Sequence, residues 1–161
     1  MGYIYAMKKP IFEEEDLGGN PFVGGDFKVL VRSVLEGSKY VMSDDVLVPS
    51  EVEFEKEDYV KLYVKPEYRK MIGLLSNGGR SLLLWCIYEL DSAKDYLWIN
   101  KRRYMEEYDI KSVNTFKGSL SELVRMNVLS PTVKKGVYWI NPRLFFHGSR
   151  VNKYPKNVVK K

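Results

Sequence analysis

Between Lys111 and Asn127 the chain reads KSVNTFKGSLSELVRMN. On a helix, one side of this stretch gathers Asn114, Thr115, Lys117, Gly118, Ser121 and Arg125. These are short amide and hydroxyl side chains that both donate and accept, with two cations and no acid among them. An amide can pair bidentately with adenine, and a lysine can reach the acceptors of guanine in the major groove. The other side carries Val113, Phe116, Leu120, Leu123 and Val124, at offsets of 0, 3, 7, 10 and 11, one apolar stripe at the helical period. Ser112 precedes the stripe, where a hydroxyl can cap orphan backbone N–H groups. The chemistry on offer is hydrogen bonding to base edges and phosphates, with Lys111 and Ser112 at the leading end.

Residues for bond-breaking chemistry are scarce. His147 is the only histidine and Cys86 the only cysteine, so no Cys/His cluster can hold zinc. The twelve tyrosines do not make a nickase of the rolling-circle type, which needs paired metal-binding histidines beside its tyrosine. Asn77-Gly-Gly-Arg-Ser81 lacks the spacing and the lysine of a P-loop, and no Ser/His/Asp set has the right context. Carboxylate pairs leave a magnesium site open as the one metal chemistry. The expectation is a non-enzymatic protein with no catalytic residue, cofactor or metal.

A reading helix must be positioned from both ends. Upstream, Asn100 can cap a helix over Lys101–Tyr108, with Tyr104 and Met105 directed inward and Lys101, Arg102 and Arg103 in its first turn. Cations there oppose the helix dipole by some tenths of a kcal/mol each. A phosphate bound at that end would relieve the conflict, and splaying of the three side chains into water is the alternative. Tyr108-Asp-Ile-Lys111 is a tight link, so the order is helix, short turn, helix. Downstream, Val128–Val133 and Val137–Ile140 flank Lys134-Lys-Gly136 and describe a hairpin. Pro131 lacks a ladder donor and belongs on an edge strand. A hairpin tipped by Lys134 and Lys135 directly after such a helix pair reads as a wing.

Around this centre, Pro66 starts a helix that runs to Leu75 and stops at Ser76-Asn-Gly-Gly79. Arg80–Leu90 reads as a core helix that buries Trp85, Cys86 and Tyr88, and Asp95–Ile99 as a short strand. Asn141-Pro142 turns into Arg143–His147, read as a short helix packing Leu144 and Phe145. Phe27–Leu35, Tyr40–Val48 and parts of Glu51–Val64 read as short strands. Residues 1–26 combine an acidic run, Glu13–Asp16, with Gly-Gly pairs and read as a solvated loop or arm. The tail from Arg150 to Lys161 carries cations and no acid, and reads as a flexible basic arm.

Charge divides along the chain. Residues 1–60 hold 6 Lys/Arg against 13 Asp/Glu, and residues 61–161 hold 20 against 8, which points the second part toward a polyanion. At 161 residues with 45% hydrophobic content, one domain plus extensions is expected. The longest apolar run, Leu82–Tyr88, is too short to span a bilayer, and a cytoplasmic protein without membrane contact is expected. The expected fold class is α+β: an acidic, partly β extension over residues 1–57, a winged helix-turn-helix domain over 58–150, and a basic tail over 151–161.

With this order assembled, the chain resembles the RepL family of plasmid replication proteins, relatives of which occur in tailed phages. The match is carried by Tyr59-Val-Lys-Leu-Tyr63, by Met71–Arg80, by the helix pair Asn100–Asn127, and by Tyr138-Trp-Ile-Asn-Pro-Arg-Leu-Phe-Phe-His-Gly148. The resemblance implies a winged helix that binds double-stranded DNA in replication initiation of a plasmid or phage. Its partners would be DNA and either the replication machinery or further copies of itself. Lys111–Arg125 is expected to dock in the major groove, Lys111 leading, with Ser112, Asn114, Thr115, Lys117 and Ser121 at base edges or nearby phosphates, and Lys101, Arg102, Arg103, Arg125, Lys134 and Lys135 at the backbone. Two rivals use the same fold: a transcriptional regulator, and a phage protein-interaction or virion-associated module.

Overall fold

The computed structural model describes residues 8–31, 40–43, 46–49 and 59–160. Helices and small sheets alternate along the chain, a mixed α and β architecture. Strands β1 (Val29–Val31), β2 (Tyr40–Ser43), β3 (Val46–Pro49) and β4 (Val60–Leu62) precede helices α1 (Pro66–Leu74) and α2 (Asn77–Glu89). Then come β5 (Tyr96–Trp98), α3 (Lys101–Glu107), α4 (Val113–Arg125), β6 (Leu129–Pro131) and β7 (Val137–Ile140). The chain closes with β8 (Phe145–His147), a single turn α5 (Arg150–Lys153) and β9 (Val158–Lys160). Strand order in the central sheet is β5-β7-β6, antiparallel throughout, so Pro131 does lie on an edge strand.

Helix α2 starts three residues earlier than its sequence suggests, and the reason lies in α4. Ser76 caps α2 by accepting from the Gly79 N–H at 3.0 Å. Glu122 of α4 reaches across and accepts from the Ser76 N–H (2.8 Å) and hydroxyl (2.5 Å). Asn77-Gly-Gly79, read above as a stop, is therefore the first turn. Both glycines mark close helix–helix approach: a Cβ at Gly78 would sit 2.5 Å from Ser119 Oγ, and one at Gly79 would collide with the Glu122 carboxylate. The hydrogen bonds from Ser76 hold the Glu122 carboxyl below its ordinary value. A depressed carboxyl stabilises the fold above its unfolded-state value, and that contribution is lost as pH falls through the folded-state value. Glu122→Gln should therefore lower the unfolding midpoint at pH 7, and the gap to wild type should narrow as pH falls below the ordinary carboxylate range in a thermal-melt series.

The core holds Leu82, Leu83, Trp85 and Cys86 from α2, Tyr104 from α3, Phe116 and Leu123 from α4, and Phe145 and Phe146 from β8. Trp85 is buried as expected, but Tyr88 is 85% exposed, because the apolar run Leu82–Tyr88 is longer than the buried face of its helix. Arg143–His147 is not helical. Phe145–His147 form β8, paired antiparallel with β4 (Val60↔His147, Leu62↔Phe145), a partner more than eighty residues away.

Residues 8–26 and the tail differ from the arms read above, while residues 1–7 lie outside the described residues. Leu17, just after the acidic run, is buried beneath the central sheet with Tyr96, Val137 and Trp139. The tail returns to the body, where β9 pairs parallel with β1 and Tyr154 packs edge-on against Phe27. Buried Asp95 joins the two: its Oδ2 accepts from Asn20 Nδ2 and from the Tyr154 hydroxyl, each at 2.9 Å. Isolated side chains and one three-residue strand anchor these segments, too short a contact to show as periodicity. Of the strands expected in the first third, β1, β2 and β4 fall within those runs and β3 passes the end of its run by one residue, while residues 32–39, 44–45 and 50–58 lie outside the described residues.

Candidate nucleic-acid interface

Helix α3 begins as read. Asn100 accepts from the Arg103 N–H at 3.1 Å, and Tyr104, fully buried, packs against Trp85 and Phe116. The following turn is made possible by Asp109, which takes a left-handed backbone at φ 53°. Helix α4 starts after Ser112, whose backbone carbonyl accepts from Thr115 (3.2 Å), but the Ser112 hydroxyl does not close the cap.

Helix α4 ends in a complete Schellman turn. Asn127 supplies the left-handed residue (φ 56°), its N–H donating to Val124 while the Val128 N–H donates to Leu123 at 2.9 Å. Asn141 then ties this end to the sheet: its side chain donates to the Asn127 carbonyl at 2.8 Å and its N–H to the Val128 carbonyl at 3.0 Å. The orientation of α4 relative to the β6–β7 hairpin is thus fixed through backbone groups. At the hairpin loop, the Lys134 N–H donates to Thr132 Oγ1, and Gly136 adopts φ 80° beside the Trp98 ring.

The two sides of α4 separate cleanly, with one shift from the sequence reading. Phe116, Ser119 and Leu123 are buried, while Leu120 and Val124 are half-buried. Val113, placed in the stripe above, is 40% exposed, and Ser119 takes a core position by donating back to the Thr115 carbonyl. Asn114, Thr115, Lys117, Gly118, Ser121 and Arg125 are all exposed. Residues 114, 117, 118, 121 and 125 make one continuous stripe of side chains at the helical period.

Gly118 stands in the middle of that stripe, and a Cβ there would have no atom of another described residue within 4 Å beyond its own turn of helix. A glycine inside a helix costs about 0.5–1 kcal/mol relative to alanine, and packing within the chain gives no reason for it. The result is a flat spot on the exposed side of α4. Gly118→Ala should therefore raise stability by about 0.5–1 kcal/mol in a denaturant titration.

The cations around this face are of two kinds. Arg103 is bidentate to Glu89 of α2 at 2.9 and 3.0 Å, a half-buried pair that ties α3 to the core. Arg102 pairs with Glu106 at 2.8 Å, and Lys111 pairs with Asp109. Lys101, Arg102 and Lys111 line one open cavity of about 510 Å³ together with those two acids, so its charge is mixed. Conflict at the α3 N-terminus is thus relieved partly by carboxylates of the chain itself, and sequence spacing alone gave no sign of the Arg103–Glu89 pair. Lys117, Arg125, Lys134 and Lys135 are exposed and make no ion pair with a described residue. The last two stand at the hairpin loop.

The model of the Firmicute plasmid replication protein family (RepL) matches residues 41–160. The chain belongs to the RepL family. The match takes in β2, β3 and β9 as well as the region whose residues carried the resemblance, so this RepL protein shares more of its length with the family than residues 58–150. A 20.9 kDa protein of Zymomonas mobilis subsp. mobilis is 24% identical over 163 residues, covering 89% of this RepL chain and 86% of the relative. No solved structure matches. Among the described residues no helix is long and apolar enough to cross a membrane.

Proposed function

We propose that this RepL protein binds double-stranded DNA as a winged helix in replication initiation of a plasmid or phage. Helices α3 and α4 act as the helix-turn-helix, and the β6–β7 hairpin as the wing. The observation that carries this reading is the exposed, acid-free side of α4, set on a helix whose other side is locked into the core. Asn114, Lys117 and Ser121 face base edges in the major groove, with Thr115 and Ser112 at nearby phosphates. Arg125, Lys134 and Lys135 hold the DNA backbone, joined by Lys101. Lys111 and Arg102 engage phosphate by exchanging their carboxylate partners, whereas Arg103 serves the fold. The reading involves no catalytic step, cofactor or metal.

Two substitutions separate reading from holding. Asn114→Ala should relax discrimination at one base pair by about 1–3 kcal/mol and spare affinity for random duplex. Lys134→Ala with Lys135→Ala should weaken binding to every sequence alike, lowering the salt slope by about one unit for each lost contact. Sequencing the DNA bound in cells tests the assignment as a whole. Recovery of the replicon's own origin supports initiation, recovery of promoters supports the regulator, and recovery of no DNA overturns the reading.

A further inference from the structure

A second concave surface, which shares no residue with α4, lies where β4 leads into α1. Two adjoining cavities, of about 740 and 430 Å³, share Tyr63, Val64 and Lys65 as common wall. The floor contains a stacked pair: the Arg150 guanidinium lies 3.4 Å above the Tyr63 ring and is anchored by donation to the Pro142 carbonyl at 2.9 Å. Tyr68 adds a second ring with Lys65 over it at 5.6 Å. Apolar side chains are left in water here, Val64 at 89% and Leu62 at 51% exposure. Along the rim stand Lys28, Lys65, Arg69 and Lys70, all exposed and none in an ion pair with a described residue. Among the described residues the one acid in the lining, Asp26, is neutralised by Arg143 at 2.7 Å.

We infer that this groove binds a single-stranded stretch of nucleic acid. Four cations that pair with no described acid call for a polyanion, and the planar and apolar floor calls for a ligand with exposed faces of its own. A duplex keeps its base faces inside the stack and offers phosphate, sugar and base edges, none of which gives a flat face to cover Val64, Leu62 and the Tyr63–Arg150 stack. Unpaired bases supply those faces, stacking on aromatic rings and on guanidinium planes while the backbone follows the cations. The site is separate from the α4 surface and stands or falls independently of it.

The test uses the full chain, with fluorescence anisotropy on labelled dT20, on the same backbone made wholly abasic, and on a random 20-bp duplex. Lys65→Glu with Lys70→Glu changes two exposed side chains and should weaken dT20 binding at least tenfold while changing duplex binding less than twofold. Val64→Asp, at the most exposed apolar position, should weaken dT20 binding severalfold with the fold intact by circular dichroism. The abasic strand should bind at least tenfold more weakly than dT20. Equal binding of dT20 and the abasic strand would overturn the proposal in favour of a bare phosphate surface. Displacement of dT20 by polyglutamate at equal charge would overturn it in favour of an acidic protein partner, and equal loss of both DNA forms in the lysine variant would overturn the separate site. Lys117→Ala serves as the converse control, because loss of duplex binding alone shows the α4 surface at work whatever the groove does.

Discussion

Reversing two charges on the exposed side of α4, Lys117→Glu with Arg125→Glu, should reduce affinity for any duplex by roughly 100-fold or more near physiological salt. Both side chains are exposed and unpaired among the described residues, so the change replaces attraction by repulsion without breaking an ion pair of the fold. Arg125 lies in the last turn, where an acid opposes the helix dipole at a cost of some tenths of a kcal/mol. The melting temperature should consequently move by only about one or two degrees. Anisotropy titrations over a salt series check both parts. With Arg125 at a phosphate and Lys117 at a base edge, the salt slope should fall by about one unit.

The largest loss of stability is expected at Leu123→Ala. Leu123 is fully buried, and its carbonyl accepts the Val128 N–H that closes the turn after α4. Truncating a leucine in such a site removes transfer free energy and leaves a cavity, for about 2–5 kcal/mol. In a chain of this length that corresponds to a fall in melting temperature of roughly 5–15 °C. Val113→Ala is the matched contrast, since Val113 is 40% exposed although it shares the stripe in sequence. It should cost less than about 0.5 kcal/mol. Duplex binding by the Leu123 variant should fall with the folded fraction, whereas the charge reversals leave a folded protein that does not bind.

What could be read from the residues alone was what local chemistry decides. Asn100 as a cap, the short link at Asp109, the hairpin with Gly136 at its turn and Pro131 on the edge strand all follow from signals within a few residues. Remote partners were invisible. Phe145–His147 looked helical because the strand that pairs with it begins at Val60, and the tail looked free because β1 and Asp95, far back in the chain, hold it. Ser76-Asn-Gly-Gly79 carries the marks of a stop, and becomes a helix start through Glu122 of another helix. On the candidate interface, residue types identified the polar side of α4, while the ion pairs of Arg102, Arg103 and Lys111 required knowing where Glu106, Glu89 and Asp109 lie. Gly118 carries no signal until the space around it is seen to be empty.

The central claim, that the exposed side of α4 faces the major groove of a duplex, is tested most directly by site-directed disulfide capture. Cys86 is fully buried and will not compete for an added thiol. Ser121→Cys places a thiol in the middle of the proposed contact, and Tyr88→Cys places one on α2 at a position 85% exposed. With the replicon's origin DNA carrying thiol tethers on major-groove base edges, the Ser121 variant should be captured and the Tyr88 variant should not. Capture through Tyr88→Cys, or retained DNA binding with no capture through Ser121→Cys from any tether position, would contradict the account.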